Sequence, residues 1–415
     1  MDKPYVRCVG IDVHKRMIMV CLLCGRKKTI RSFGTNSAEL RDMAKWLGEN
    51  QCQAAAMEST GSYWKPLYNV LELLLPDMKL IVANAQHMKT VPGRKTDVKD
   101  AEWIARLLKQ GLLKASFIPN REQRELRELS RYRKSLVEER AREINRLQKI
   151  LEGGNIKLGN YVSHITGKSA GMLLRRIVEN DQPLQEDEVS HMLHPSMKHG
   201  AKEIMQALDG VLSPIQKDLI RKIMSHIDDM TRRITDMDDT VNKYMENYQK
   251  AIQRLCEISG IGTRSAETIL IEIGLDMTRF PNAGCLCRWS GLAPGNNESA
   301  QKRRSGRITK GNNTLKTILI QCAKIAKRKT DSFFHAQYNR IVVRRGSNRA
   351  TVAVAHSMLI AIYHMLRDDM PFKDLGGDYY NQFNREKKMN YHLNQLYKLG
   401  WIPDDPQRKE ASPVL

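Results

Sequence analysis

Four carboxylates and one hydroxyl stand out for what they could do together. Asp12 interrupts the apolar run Val9-Gly-Ile-Asp-Val13, Glu58 closes the short apolar run Ala54 to Met57, and Asp97 and Asp100 open a helical pattern from Asp97 to Leu108. A carboxylate inside a buried strand is costly unless something pairs with it. The spacing of Asp97 and Asp100 puts both on one helical face. Acids delivered from two strand ends and one helix start can surround one or two hard divalent cations, Mg²⁺ first, because that ion takes oxygen ligands and bridges phosphate oxygens. Such ions would flank a scissile phosphodiester. Singly, the acids have plainer accounts: Asp97, after Lys95-Thr96, fits a helix cap, Asp100 a solvated helix residue, and Glu58, before Ser-Thr-Gly, a turn residue. Asp12 is the hardest to explain that way, and the set in strand–strand–helix order favours the metal site.

The hydroxyl belongs to a turn-rich stretch, Trp289 to Asn313, in which Ser299 and Ser305 lie among the cations Lys302, Arg303, Arg304, Arg307 and Lys310. A serine is a weak nucleophile until something takes its proton or stabilises its anion. The neighbouring cations could do the second and neutralise an attacked phosphate. On residue chemistry alone, the stronger account is that both serines hydrogen-bond phosphate while the cations position a nucleic acid. Upstream, Ile258-Ser-Gly260-Ile-Gly262-Thr-Arg-Ser-Ala266 opens a helix that continues to Ile273. Gly260 and Gly262 there would let a phosphate approach backbone N–H groups, as in a helix-hairpin-helix element. A plain tight turn fits the two glycines about as well, and the surrounding charge favours phosphate.

These groups need a frame. Val6 to Val13 and Met17 to Leu23 read as a β-hairpin turning at His14-Lys15-Arg16. A helix over Ser37 to Leu47, capped at Asn36-Ser37, and strands at Ala54 to Met57 and Lys79 to Ala83 complete an α/β order. Past Pro119, Leu126, Leu129, Leu136, Ile144, Leu147 and Leu151 recur at helical spacing. A second helix is expected from about Pro214 to Leu255 on the stripe Ile215, Leu219, Ile223, Ile227, Met230, Ile234, Met237, Val241, Tyr244, Tyr248, Ile252 and Leu255. Sustained over several heptads, this predicts a coiled-coil arm. Residues 153–211 read as shorter helices broken at Gly153-Gly154, Pro183, Pro195 and Gly210. The expected division is 1–118, an α/β domain; 119–255, a helical arm with its insert; 256–370, a mainly α C-terminal domain; and 371–415, a polar, loosely packed tail.

Composition narrows the partner. The 415 residues hold 68 Lys+Arg against 46 Asp+Glu, a net charge of +22, with 41% hydrophobic and 6% aromatic residues. That length suggests two or three domains, and the charge predicts a polyanion partner. From Gly295 to Ala350 fourteen Lys/Arg face two acids, Glu298 and Asp331, so twelve of the surplus charges sit around the hydroxyl. The longest apolar run, Met17 to Cys24, is eight residues, well short of the roughly 20 that span a bilayer, and no secretory signal opens the chain. No membrane association and a cytoplasmic location are expected. The eight cysteines lack zinc-site spacing and read as reduced, buried thiols. His364-Met-Leu-Arg367 with Tyr391 fits a tyrosine-recombinase pattern, but His364 falls off the apolar stripe of Thr351 to Arg367, as a solvated helix residue would. Tyr379, Tyr380 and Tyr391 then read as ordinary tail residues.

The set Gly10-Ile-Asp12-Val-His-Lys15, Met57-Glu58-Ser-Thr-Gly61 and Gly93-Arg-Lys-Thr-Asp97-Val-Lys-Asp100-Ala101-Glu resembles the N-terminal domain of the DEDD transposases of bacterial insertion sequences. Leu255 to Ala323 and Arg344-Arg-Gly-Ser-Asn-Arg349-Ala-Thr-Val-Ala-Val-Ala-His356 resemble the C-terminal domain of the same family. The resemblance covers nearly the whole chain. It implies an RNase H-like fold of RuvC type, with Asp12, Glu58, Asp97 and Asp100 as Mg²⁺ ligands, and a nucleophilic serine at Ser299, with Ser305 the fallback; Ala300-Gln301 stand where the family has a small, glycine-rich sequence. It implies a nucleoid-associated enzyme that cuts and rejoins donor and target DNA and a structured guide RNA encoded by the element. Because Ser299 and the acids fall in different domains joined by long helices, a site within one protomer and a site composite between protomers are both open; pairing through the coiled coil would give a dimer, and synapsis of two DNA sites a tetramer. A DNA invertase of this architecture, a Holliday-junction-type nuclease that cuts without rejoining, and an architectural nucleic-acid-binding protein are the alternatives.

Overall fold

The computed structural model describes residues 5–59, 61–83, 97–113, 115–180, 182–295, 297–299, 302–305, 308–383 and 385–400, with the backbone alone at 97–98, 297–299, 302–305, 383 and 386–388. Two units divide the chain, Met1–Arg121 and Glu122–Leu415.

In the first unit, alternation of apolar residues builds a sheet buried on both faces. Strands β1 (Arg7–Val13), β2 (Met17–Cys24), β3 (Lys27–Gly34), β4 (Ala54–Glu58) and β5 (Lys79–Ala83) lie in the order β3-β2-β1-β4-β5. β1 pairs antiparallel with β2 and parallel with β4, which is parallel to β5. β3, antiparallel to β2, is a strand the sequence reading lacks. It is an edge strand, and its Lys27, Lys28 and Arg31 obscure the alternation. One face carries Val9, Ile11, Val13, Ala55, Met57 and Val82 against helix α1 (Ser37–Glu49) and helix α2 (Trp64–Leu74). α1 buries Leu40, Met43, Ala44 and Leu47, the spacing of one helical face, and is capped by Asn36, whose side chain accepts the Glu39 N–H. The other face carries Cys8, Ala54, Ala56, Ile81 and Ala83 against Ile104 and Leu108 of helix α3 (Asp97–Lys109).

Among its described residues, the second unit is helical apart from one hairpin. Helix α4 (Arg121–Gly153) and helix α8 (Pro214–Tyr244) are its long members. Arg133 pairs with Asp238, Arg140 with Thr231 and Glu143 with His226, so α8 numbers fall as α4 numbers rise and the two helices are antiparallel. Between them run α5 (Lys168–Glu179), α6 (Glu186–Met192) and α7 (Ala201–Leu208). Their Leu173, Leu174, Val178, Val189, Ile204 and Leu208 share a core with Leu147 and Leu151 of α4 and Ile220, Ile223 and Ile227 of α8. α8 starts on a capping box in which Ser213 and Gln216 exchange side-chain-to-backbone bonds, with Pro214 following.

The second long helix is shorter than the stripe suggested. It ends at Tyr244, a single 3₁₀ turn follows at Glu246–Tyr248, and α9 (Gln249–Cys256) begins anew. Met245, 1% exposed, turns inward at the break, and Ile215, 80% exposed, lies outside the buried stripe, which starts at Ile220.

The remaining elements are α10 (Thr263–Ile273), α11 (Ala283–Ser290), β6 (Asn297–Ser299), β7 (Lys302–Ser305), α12 (Asn313–Ala326), α13 (Phe333–Arg345), α14 (Ser347–Asp368), α15 (Tyr379–Phe383) and α16 (Arg385–Lys398). α14 is the one helix among the described residues long and apolar enough to cross a membrane, a feature that counting contiguous apolar runs overlooks. It buries Ala350, Val354, Ala355, Met358, Leu359 and Ile362 and packs on α11, α12 and α13, as a core helix does. Past it the chain is better packed than its polarity suggested: Tyr379 and Tyr380 lie 5.2 and 5.4 Å from the Phe333 ring, and Arg340 lies over Tyr380.

Candidate active site

At one end of the first unit's sheet, β1 comes against helix α3 because of a glycine. A methyl group on Gly10 would lie 2.2 Å from the Ala101 carbonyl oxygen and 2.2 Å from the Ala105 nitrogen, so α3 rests directly on β1. The Cys8 thiol, two residues back, reaches the Ala105 carbonyl at 3.7 Å. Moving along β1 from Cys8 to Gly10 therefore moves along α3 towards its first turn. Asp12 continues that step on the same face; its cross-strand partner Met19 packs against Ala101 and Ala105. On β4, Ala56 and Met57 are level with Gly10 and Ile11, which sets Glu58 level with Asp12 at the parallel strand ends, on the α3 face beside Ala83. The first turn of α3 carries Asp97 and Asp100. Its positive helix end favours carboxylates there.

Asp12, 13% exposed, sits 3.0 Å from the His14 ring nitrogen Nε2, while Glu58 and Asp100 are half-buried. Glu102 is engaged elsewhere: Lys28, at 2.8 Å, and Arg106 bind it, and the Lys28 hydrogen bond leads in holding its carboxyl below the usual range. Carboxylate oxygens are the hard donors that suit Mg²⁺. Among the described residues no three His, Cys, Asp or Glu stand close enough to hold a metal ion; the Asp97 side chain lies outside them.

The serine region, read from sequence as a loop, contains a two-stranded hairpin. Ser299 is level with Lys302, Glu298 with Arg303 and Asn297 with Ser305. Residues 300, 301, 306 and Arg307 lie outside the described residues, and so do the side chains of Ser299, Lys302, Arg303, Arg304 and Ser305. Below the hairpin, Pro294 bridges Ile308, and Gly291 (φ +76°) meets Gly311 so closely that a methyl on Gly311 would lie 2.3 Å from the Gly291 nitrogen. Lys310 is exposed at this base.

The two upstream glycines divide their roles. Gly260 has φ +90°, and a methyl there would lie 2.5 Å from the Cys322 carbonyl oxygen of α12, so this glycine serves a close helix approach. Gly262 caps α10, is exposed and has nothing within 4 Å of an added methyl. His364, 51% exposed, pairs with Asp368, a solvated-face contact as expected.

Sequence reasoning missed an ionic cluster around a buried glutamate at the base of the hairpin. Glu272, 1% exposed, takes Arg131 on both carboxylate oxygens at 2.9 and 2.8 Å, and Asn312 at 2.6 Å. Arg127 lies 3.4 Å away and also donates to the Glu272 carbonyl; burial pushes its pKa down to about 10. Helical periodicity marks Arg127 and Arg131 only as charged positions, and nothing local in the sequence joins them to Glu272. The cysteines are free thiols, and burial raises Cys8 and Cys21 to about 11 and Cys52 and Cys287 to about 12.

Residues 9–156 match a transposase family of the DEDD, IS110 type, and residues 252–339 match the "Transposase IS116/IS110/IS902 family". These spans contain all four acids, both glycines and the serine hairpin. The chain is 24% identical over 370 residues to a Pseudomonas aeruginosa protein named "Probable family 20 transposase", covering 86% of this chain and 96% of that one. It is 22% identical over 375 residues to the Coxiella burnetii "Transposase for insertion sequence element IS1111A", covering 87% and 90%. The chain belongs to the IS110-family insertion-sequence transposases.

Proposed function

We propose that this transposase cuts and rejoins donor and target DNA with Ser299 as nucleophile, and that Asp12, Glu58, Asp97 and Asp100 hold one or two Mg²⁺ ions. The observation that carries this reading is the level placement of Asp12 and Glu58 at parallel strand ends beside the helix start bearing Asp97 and Asp100. The sheet order and this placement support an RNase H-like, RuvC-type fold. Bound Mg²⁺ would supply positive charge at phosphate oxygens.

The serine oxygen attacks phosphorus, a P–Oγ bond forms, the bond from phosphorus to one sugar oxygen breaks, and the serine proton leaves for that oxygen. The reverse attack by another strand's sugar hydroxyl releases the serine and reseals the DNA. Lys302, Arg303, Arg304, Arg307 and Lys310 offset the phosphate charge as it changes, and Gly262 admits a neighbouring phosphate to the α10 N-terminus. Within this reading, 1–118 is the metal domain, 119–255 the arm, 256–370 the serine domain and 371–415 the tail. α4 and α8 pair chains as a coiled coil into dimers and tetramers, and an element-encoded RNA selects the DNA. The +22 charge suits both polyanions and a nucleoid-associated, cytoplasmic location.

The test incubates Ser299→Ala and Asp12→Ala separately with DNA, Mg²⁺ and the element's RNA. Both should yield no recombinant product while still binding DNA. Recombination by Ser299→Ala at the wild-type rate sinks the nucleophile, and cleavage surviving in Asp12→Ala removes the metal site.

A further inference from the structure

Asn312 is where the chain leaves the serine hairpin and enters α12. Its side-chain oxygen accepts the Leu315 N–H at 3.1 Å, capping the helix, and its own N–H donates to the Trp289 carbonyl at 3.1 Å, closing the hairpin base. Its amide nitrogen donates to Glu272 at 2.6 Å. Capping needs only an acceptor, which a serine supplies equally well, so the third bond lies beyond what the helix requires.

The cluster that this bond joins is a poor choice for stability alone. Burying the Glu272 carboxylate with the Arg127 guanidinium, while Arg131 stays 48% exposed, carries a desolvation cost that an apolar pair of the same size avoids. Its geometric effect is definite. Arg127 and Arg131 come from the first turns of α4, Glu272 from the end of α10 and Asn312 from the hairpin base. The Arg127 guanidinium also lies 5.4 Å from the Trp289 ring centre, on the opposite leg of that base. Both legs are thus referenced to the start of the arm.

We infer that Glu272 and Asn312 are positioning residues for the serine chemistry: through Arg127 and Arg131 they fix the base of the hairpin to the arm helix. The inference rests on the reading of Ser299 as nucleophile. A hairpin whose base loses this reference would still bind DNA through its cations but would present the serine less often in line with the phosphate, and small misplacements of reacting groups are expensive in rate.

The test uses the full chain with DNA, Mg²⁺ and the element's RNA, and measures the rate of covalent protein–DNA adduct formation, DNA affinity and melting temperature. Asn312→Ser keeps the cap and loses the donor. Asn312→Asp keeps the cap and sets two carboxylates against each other. Glu272→Gln combined with Asn312→Asp restores a donor–acceptor pair with its direction reversed. Both single variants should lower the adduct rate by about ten- to a hundredfold with DNA affinity unchanged, and the double variant should recover most of the loss relative to Asn312→Asp. A wild-type adduct rate in Asn312→Ser overturns the inference. So does a loss that the double variant fails to recover, or one matched by equal losses of affinity and melting temperature. If Ser299→Ala forms the same adduct as the wild type, the serine reading fails and takes this inference with it; a serine adduct formed normally by Asn312→Ser removes this inference alone.

Discussion

Gly10 and Ala105 touch backbone to backbone: a methyl on Gly10 would stand 2.2 Å from the Ala105 nitrogen. The consequence reaches Asp12, because the same approach brings the start of α3 to the end of β1.

Gly10→Ala should therefore act in two ways. α3 must lift from the sheet, at a cost of about 1–3 kcal/mol or more, and the acids at its first turn move away from Asp12 and Glu58. Thermal unfolding should show a lowered transition and recombination should fall further than the stability change explains. A variant that melts and recombines like the wild type would contradict the contact.

The two glycines before α10 should separate under substitution. Gly260→Ala meets both a positive φ and the Cys322 carbonyl, so it should destabilise the second unit by about 1–3 kcal/mol. Gly262→Ser places a better capping residue at an open position and should leave stability unchanged or raised by a few tenths of a kcal/mol. Urea unfolding of the two variants checks this, and the reverse order would overturn the division of roles.

The buried thiols give a pH dependence with a definite sign. Folding raises Cys8 and Cys21 to about 11 and Cys52 and Cys287 to about 12 from an ordinary 9.0, so the folded chain holds more protons than the unfolded one above pH 9. Their stabilising contribution is complete below that pH and is lost as pH rises towards 11–12. Alkylation mapped by mass spectrometry should find the buried Cys8, Cys21 and Cys287 unreactive in the native chain at pH 9 and reactive once it unfolds. Rapid native labelling of Cys287 would contradict its burial.

Much of this frame was legible where a local pattern has one physical solution. The four-residue stripe of α1, the turn at His14-Lys15-Arg16, and the acids at strand ends all follow from short-range periodicity and the cost of buried charge. β3 was missed because an edge strand with charged residues lacks the alternation of a buried one. The stop at Tyr244 was missed because neither Gly nor Pro marks it and the apolar stripe runs on through Ile252. The hairpin bearing Ser299 has neither an Asn-Gly turn nor a β-branched run, so its composition reads as loop. The Glu272 cluster joins residues far apart in sequence, and no window along the chain contains it.

The central claim is that the covalent link passes through one serine. Wild-type protein trapped with its DNA, Mg²⁺ and the element's RNA should, after nuclease and protease digestion, yield a nucleotide-bearing peptide with the modification on Ser299, absent from Ser299→Ala and retained in Ser305→Ala. A modification on Ser305, or recombination with no protein–DNA link at any time point, would contradict the account.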